Sequence, residues 1–131
     1  MDNQRTHYTS GAQWESRVGY SRAVKVGNII EVSGTVATGE DGEVIGDGDA
    51  YLQTKFILQK IESVLLQAGA ELRHVVRTRM FVTDIGQWEA YGRAHGEVFA
   101  GINPCTSMIE VKALIAPQYL VEIEATAVIT S

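Results

Sequence analysis

The stretch Leu120-Val121-Glu122-Ile123-Glu124-Ala125-Thr126-Ala127-Val128 decides how the chain is read. Val121, Ile123, Ala125 and Ala127 are apolar at every second position, and Glu122, Glu124 and Thr126 fill the places between. Side chains along a strand alternate between its two faces. The segment therefore predicts a strand with one apolar face and one face that carries two carboxylates.

Working outward, other segments repeat the split. Val75–Val82 alternates Val76, Thr78, Met80 and Val82 against Val75, Arg77, Arg79 and Phe81, and Ser107–Ala113 is a further strand candidate. Near the start, Ser21–Val26 and Ile29–Thr35 read as two strands joined by Gly27-Asn28, a pair suited to a tight hairpin turn. Thr38–Asp49 is rich in glycine and acid and reads as a loop, with a short strand at Glu43-Val44-Ile45. Asp49 can cap a helix in which Phe56, Ile57, Ile61, Val64, Leu65 and Ala68 recur at helical spacing, and Gly69 stops it. Asp84 with Gln87 resembles a capping box for a second helix, whose stripe is Trp88, Tyr91, His95, Val98 and Phe99 and which Asn103-Pro104 breaks. The last strand runs Leu120–Ile129. The order is β-β-α-β-α-β-β, an α+β domain spanning 1–131, with two helices on one face of a mixed sheet of four to six strands.

Alternation assigns faces. Ile30, Val32, Val76, Met80, Ile109, Val111, Val121 and Ile123 belong under the helices, where each buried side chain stabilises by about 1.5–3 kcal/mol. Glu31, Ser33, Arg77, Arg79, Glu110, Lys112, Glu122 and Glu124 take the opposite face, with Val75, Phe81, Leu120 and Val128 at its margins. A solvated face with weak ion pairs explains the charges. A subunit interface enclosing polar sites explains the charges and the apolar margins together.

Composition bounds the function. The chain has 131 residues, 45% hydrophobic and 21% charged, with a net charge of -5. That balance, without a basic run, disfavours a nucleic-acid partner. Cys105 is the single cysteine, so no intrachain disulfide forms. His7, His74 and His95 lack metal-ligand spacing, and no metal is expected. The first eighteen residues are polar, and no stretch is long enough to span a bilayer, so a cytoplasmic protein with no membrane partner is expected. Cys105 has no histidine at readable spacing, and a free cysteine is most often a small buried hydrophobe. His95 lies on an apolar helix stripe and reads as a packed, satisfied histidine. Trp88 reads as core or interface. The glycines and aspartates of 39–49 fit neither a phosphate loop nor a calcium loop.

Several segments taken together resemble the RidA/YjgF (Rid) family: Gly19-Tyr20, Val26 to Gly34, Ala68-Gly69-Ala70, Val75 to Asp84, Pro104 to Val111 and Val121 to Ala125. The resemblance covers nearly the whole chain in order. It implies a chorismate-mutase-like fold and a homotrimer whose sheets face inward as a barrel, with small-molecule clefts between subunits. Deaminating members hydrolyse enamines and imines released by pyridoxal-phosphate enzymes, giving a 2-oxo acid and ammonia. On this resemblance Glu122 falls on the catalytic-site glutamate that orients or activates water. Tyr20 falls on the cleft tyrosine, Ser33 and Gly34 on a Ser-Gly whose backbone N–H donates to substrate, and Met108 on a residue that contributes backbone.

Two positions depart from the family. The family motif Pro-Ala-Arg-Ser, whose arginine clamps a substrate carboxylate, reads Pro104-Cys105-Thr106-Ser107 here, and Gly92 stands for a helix-two asparagine. A guanidinium holds a carboxylate by two charge-assisted bonds, whereas a hydroxyl offers one neutral donor. The exchange weakens binding of an imino acid by about 1.5–3 kcal/mol. Arg22, two residues after Tyr20, is a candidate replacement charge. Two functions follow. One is hydrolysis of a small enamine or imine to a carbonyl compound and ammonia, with no cofactor. The other is a non-catalytic trimer that binds a small metabolite. Ribonuclease activity, described for family members, fits poorly with the net charge of -5.

Overall fold

A computed structural model describes residues 4–130. In chain order its elements are β1 (Arg5–Tyr8), α1 (Gln13–Val18), β2 (Ala23–Val26), β3 (Ile29–Thr35), α2 (Ala50–Gln67), β4 (Val75–Val82), α3 (Trp88–Phe99), β5 (Cys105–Glu110) and β6 (Val121–Val128), with 3-10 turns at Leu72–His74 and Ile85–Gln87. Among the described residues six strands form one sheet, ordered β1-β2-β3-β6-β4-β5. β4 and β5 run parallel, and the other neighbours are antiparallel. The fold is the α+β, mixed-sheet architecture that the alternation predicts.

β6 sits in the middle of the sheet, and its alternation explains why. Val121, Ile123, Ala125 and Ala127 are at most 1% exposed, whereas the residues between them are only half-buried. α2 and α3 cover the apolar face. Asp49 starts α2 by accepting a hydrogen bond from the Leu52 N–H at 3.0 Å, and Ile57, Leu58, Ile61, Val64 and Leu65 line its buried side. Gly69 ends the helix at φ 85°, a conformation costly for residues with a Cβ. Lys25 of β2 donates to the Ala68 carbonyl at 2.7 Å and ties that helix end to the sheet. Gln53 is fully buried and holds two loops at once. Its amide donates to the carbonyls of Gly46 (3.2 Å) and Gln118 (2.9 Å), and its Oε1 accepts from the Leu120 N–H at 2.9 Å.

Several expectations are corrected. β1 and α1 lie in the polar first eighteen residues, where no apolar alternation announced them; β1 forms by pairing its backbone with β2. The strand expected from Ser21 begins at Ala23, and Glu43-Val44-Ile45 reduces to a single bridge between Thr38 and Val44. In β4 the pairing slips between Val75 and Arg77. An extra residue in one strand reverses the faces beyond it, so Val75 lies in the core at 3% exposure and Val76 points out at 46%.

β5 also reverses the expectation. It runs from Cys105 to Glu110, and the register sets Thr106, Met108 and Glu110 beside Thr78, Met80 and Val82, on the helix side. Ile109 therefore faces away from the helices at 47% exposure, and Val111 lies beyond the strand, half-buried. Glu110, expected among the open-face charges, instead accepts from the Ile85 N–H at 3.0 Å. The Asp84 carboxylate accepts from the Gly86 N–H at 3.0 Å and from the Gln87 side chain at 3.4 Å, so Gln87 does not close a reciprocal box. Trp88 is exposed in the protomer, which removes the core reading and leaves the interface one, and Cys105 is exposed rather than buried. Among the described residues no helix is long and apolar enough to cross a membrane.

Candidate functional site

The face of the sheet turned away from α2 and α3 carries the charges expected of β6. Glu124 pairs with Arg79 on the neighbouring strand at 3.8 Å. Glu122 stands opposite Phe81 and has no ion-pair or hydrogen-bond partner among the described residues. Its surroundings come from a bulge in β3. Val32 pairs with Ala125 and Thr35 with Ile123, so β3 spends three residues where β6 spends two. The extra residue lies at Ser33-Gly34 and leaves a notch over Gly34 that the Glu122 carboxylate fills.

Gly34 shapes that notch by lacking a side chain. A Cβ there would lie 2.0 Å from Glu122 Oε2 and 2.9 Å from its carboxyl carbon. The glycine is required by space, since its φ lies outside the left-handed region. Burial pushes the Glu122 carboxyl above its ordinary range, the Glu124 charge adds to the rise, and the Arg22 guanidinium opposes it. A half-buried carboxyl with raised proton affinity and no bonded partner is suited to exchanging protons with a bound molecule.

Arg22 lies at the same notch. Its Nη2 donates to the Gly34 carbonyl at 2.6 Å, and its Nε is buried without an acceptor. Its guanidinium carbon is 5.9 Å from the ring centre of Tyr20, which is 38% exposed. Lys60, from α2, donates to the carbonyls of Val36 (3.2 Å) and Thr38 (3.0 Å). Burial lowers its pKa, and the charge of Arg22 lowers it further. Ser33 donates its hydroxyl to the Ser21 carbonyl at 2.6 Å, a bond that secures the bulge to the segment before β2.

Thr106 and Met108 lie elsewhere in the protomer. Thr78 Oγ1 is 2.8 Å from His95 Nε2 and donates to Thr106 Oγ1 at 2.7 Å, which links α3, β4 and β5 under the helices. His95 stacks against Phe99 with ring centres 4.6 Å apart, and burial lowers its pKa. Met108 packs against the core. Among the described residues no group of three or more histidine, cysteine or acidic side chains is placed to hold a metal.

The family model described as Endoribonuclease L-PSP matches residues 10–129. Rv2704 from Mycobacterium tuberculosis, a member of the YjgF/YER057c/UK114 family, is 49% identical, superposes with a TM-score of 0.87, and is matched over 96% of this chain and 100% of its own. The chain belongs to the RidA/YjgF family. Its mixed sheet with helices on one face is the chorismate-mutase-like fold of RidA/YjgF structures. A protein of Streptomyces coelicolor, SCO2049, is 35% identical over 118 residues, which span 90% of this chain and 87% of that protein. The 3-aminoacrylate deaminase RutC of Acinetobacter baylyi is 32% identical over 108 residues, 82% of this chain and 85% of that protein.

Of the positions singled out through the RidA/YjgF resemblance, Glu122 and Gly34 meet at one notch with Ser33 bracing it, and Arg22, singled out for its charge beside Tyr20, holds the Gly34 carbonyl there. Thr106 and Met108 sit on the helix side of the same sheet, so one protomer does not bring them to Glu122. Lys60 was not legible as part of this surround. It occupies the flank of an amphipathic helix, and no local pattern indicates that it reaches the loop after β3. The His95–Thr78–Thr106 connection joins three elements far apart in sequence, and only the register between β4 and β5 reveals it.

Proposed function

We propose that this RidA/YjgF protein hydrolyses a small enamine or imine to a carbonyl compound and ammonia, in the cytoplasm, at clefts between the subunits of a homotrimer. The observation that carries the reading is Glu122: half-buried, raised in proton affinity, without a bonded partner, and seated against Gly34, where there is no room for a Cβ. The 3-aminoacrylate deaminase at 32% identity supports an enamine as the substrate class.

The chemistry needs one acid–base group and a water. The protonated carboxyl donates its proton to the enamine carbon, which gives an iminium. The resulting carboxylate accepts a proton from water as the oxygen adds to the C=N carbon. The carboxyl passes that proton to the carbinolamine nitrogen, which leaves as ammonia, and takes up the hydroxyl proton as the C=O bond forms. Such proton transfer contributes about 10²–10⁴-fold in rate. No cofactor enters, because a protonated imine is already electrophilic. Tyr20 and the backbone N–H near Gly34 would hold the polar groups of the substrate.

Apolar residues on the same sheet face support a covering subunit. Ile29 and Ile109 are each 47% exposed and Val26 is 42% exposed, and apolar surface of that kind is normally covered in an assembly. A neighbour would also be needed to bring Thr106 to Glu122, as a shared cleft requires. An RNA partner is disfavoured by the net charge of -5 and by Glu31, Glu122 and Glu124 on this face.

Thr106 favours a second reading, a non-catalytic trimer that binds a small metabolite. Its hydroxyl is tied to Thr78, and it offers no cation to clamp an α-carboxylate. Ammonia release from 3-aminoacrylate and from iminopropanoate, each generated in situ, separates the two. The hydrolytic reading expects turnover above the uncatalysed rate, loss of about 10²-fold or more in Glu122→Gln, and faster iminopropanoate turnover in Thr106→Arg. Unchanged turnover in Glu122→Gln removes the assigned role. A wild-type protein inert toward both compounds favours the binding reading.

A further inference from the structure

Arg22 is a cation that the hydrolytic chemistry leaves without a task. Sequence proximity to Tyr20 made it a candidate clamp for a substrate carboxylate. Its contacts describe a different role. The Nη2 donor is occupied by the Gly34 carbonyl at 2.6 Å. The Nε donor is buried and has no acceptor. Gly34, whose carbonyl Arg22 holds, is the residue against which the Glu122 carboxylate packs with no room for a Cβ. The guanidinium therefore grips the backbone that forms one wall of the Glu122 notch. An N–H to carbonyl bond with a charged donor is among the stronger kinds available to a loop.

We propose that Arg22 is a positioning residue for Glu122: it fixes the Ser33-Gly34 bulge through the Gly34 carbonyl and stands as the positive charge against which the carboxylate is balanced. The kinetic part of this inference rests on the hydrolytic reading, while the structural part does not.

The groups around Glu122 show why the balance falls to Arg22. Glu124, two residues along β6, pushes Glu122 toward its protonated form and is itself paired with Arg79 of β4. From β4, the residue directly opposite Glu122 is the uncharged Phe81, and Arg77 lies opposite Thr126. From β3, Glu31 accepts a hydrogen bond from the Thr126 hydroxyl at 2.6 Å. From α2, Lys60 spends its ammonium on the Val36 and Thr38 carbonyls. Arg22 is left as the cation whose charge acts on Glu122 against burial and Glu124. No ion pair among the described residues joins Arg22 to Glu122, so its charge acts on the carboxylate at a distance.

The test is a carbon-13 NMR titration of the glutamate carboxyls in the intact protein, with nitrogen-15 detection of the arginine side chains. In the wild type the Arg22 Nε–H resonance is expected to move with the same midpoint as Glu122. In Arg22→Gln the proton affinity of Glu122 is expected to rise about three- to tenfold, and the Gly34 carbonyl shift to move as its charged donor is lost. Arg22→Lys, which keeps the charge, is expected to return the Glu122 midpoint most of the way. An Arg22 Nε–H that ignores the Glu122 titration overturns the proposal in the wild type, whatever the variants do. An unmoved Glu122 midpoint in folded Arg22→Gln overturns it as well.

Turnover then separates positioning from clamping. Positioning moves the pH profile and kcat of Arg22→Gln and leaves KM nearly unchanged, whereas a clamp raises KM. The titrations use no substrate, so they decide the role of Arg22 even if no imine is hydrolysed.

Discussion

The two sides of β6 treat polar groups in opposite ways. Under the helices, Thr78 is bonded to His95 and Thr106, Thr54 to the Ala50 carbonyl, Thr35 to the Ser33 carbonyl, and Gln53 to three backbone groups. On the other side, Glu122 has no bonded partner among the described residues, and Arg22 keeps a buried donor unfilled. Interiors satisfy their polar groups because an unmet one costs about 1–3 kcal/mol. Departures from that rule are where ligands and partners are sought. An unmet atom is not enough by itself. His74 Nε2 is also buried without an acceptor, in the turn before β4, while its Nδ1 accepts from the Glu71 N–H at 2.9 Å. The Glu122 side differs because its carboxylate lies against a glycine whose carbonyl Arg22 holds.

Adjacent residues of one strand should break in different ways if this contrast holds. The largest effect is expected from Ile123→Ala on the covered side. Ile123 is fully buried, and truncating such a side chain costs about 2–5 kcal/mol. Denaturant unfolding should show a lower midpoint with an unchanged slope, and a loss under about 1 kcal/mol would mean that the core does not lie where β6 places it. Thr78→Val should cost less, about 1–3 kcal/mol, because it strips the buried His95 of its hydroxyl partner while keeping the shape. Thermal unfolding measures it. A neutral outcome would show that the connection from α3 to β5 contributes no stability.

Legibility in the sequence follows the same division. The alternation of β6, the hairpin at Gly27-Asn28 and the α2 stripe with its Asp49 cap were readable because each is a local pattern with a local cause. The faces of Val75 and Val76 were not, because a single extra residue in β4 is invisible to strict alternation and is fixed by pairing with β6. β5 failed for a related reason: a parallel edge strand takes its register from β4, and Thr106 and Ile109 alternate as well in either phase. β1 carries almost no apolar signal and exists through backbone pairing. At the site, Glu122 and Gly34 could be chosen through family resemblance. Their contact could not, since it depends on the bulge that brings position 34 against position 122. Arg22 was singled out for its charge, and its grip on a main-chain carbonyl is a tertiary fact that no spacing encodes.

The smallest effect is expected at Glu122, and its sign is the sharpest check on the contrast. The folded-state pKa of Glu122 is raised above its unfolded value, so the native state binds this proton more tightly than the unfolded chain does. The favourable contribution is then fully present below the unfolded carboxyl range, about 4.3, and is lost as pH rises through the higher folded value. Above that value the ionised group opposes folding. Glu122→Gln keeps the shape and removes the charge, so it should be slightly more stable than the wild type at pH 7, by no more than about 1 kcal/mol because solvent still screens the carboxylate. The advantage should disappear on acidification to about pH 4, where wild-type Glu122 is neutral as well. Melting temperatures of the two proteins at both pH values supply the comparison. A glutamine variant that is less stable at pH 7 would mean that the carboxylate is held by a favourable native contact, and Glu122 would then belong with the satisfied polar groups of the covered side.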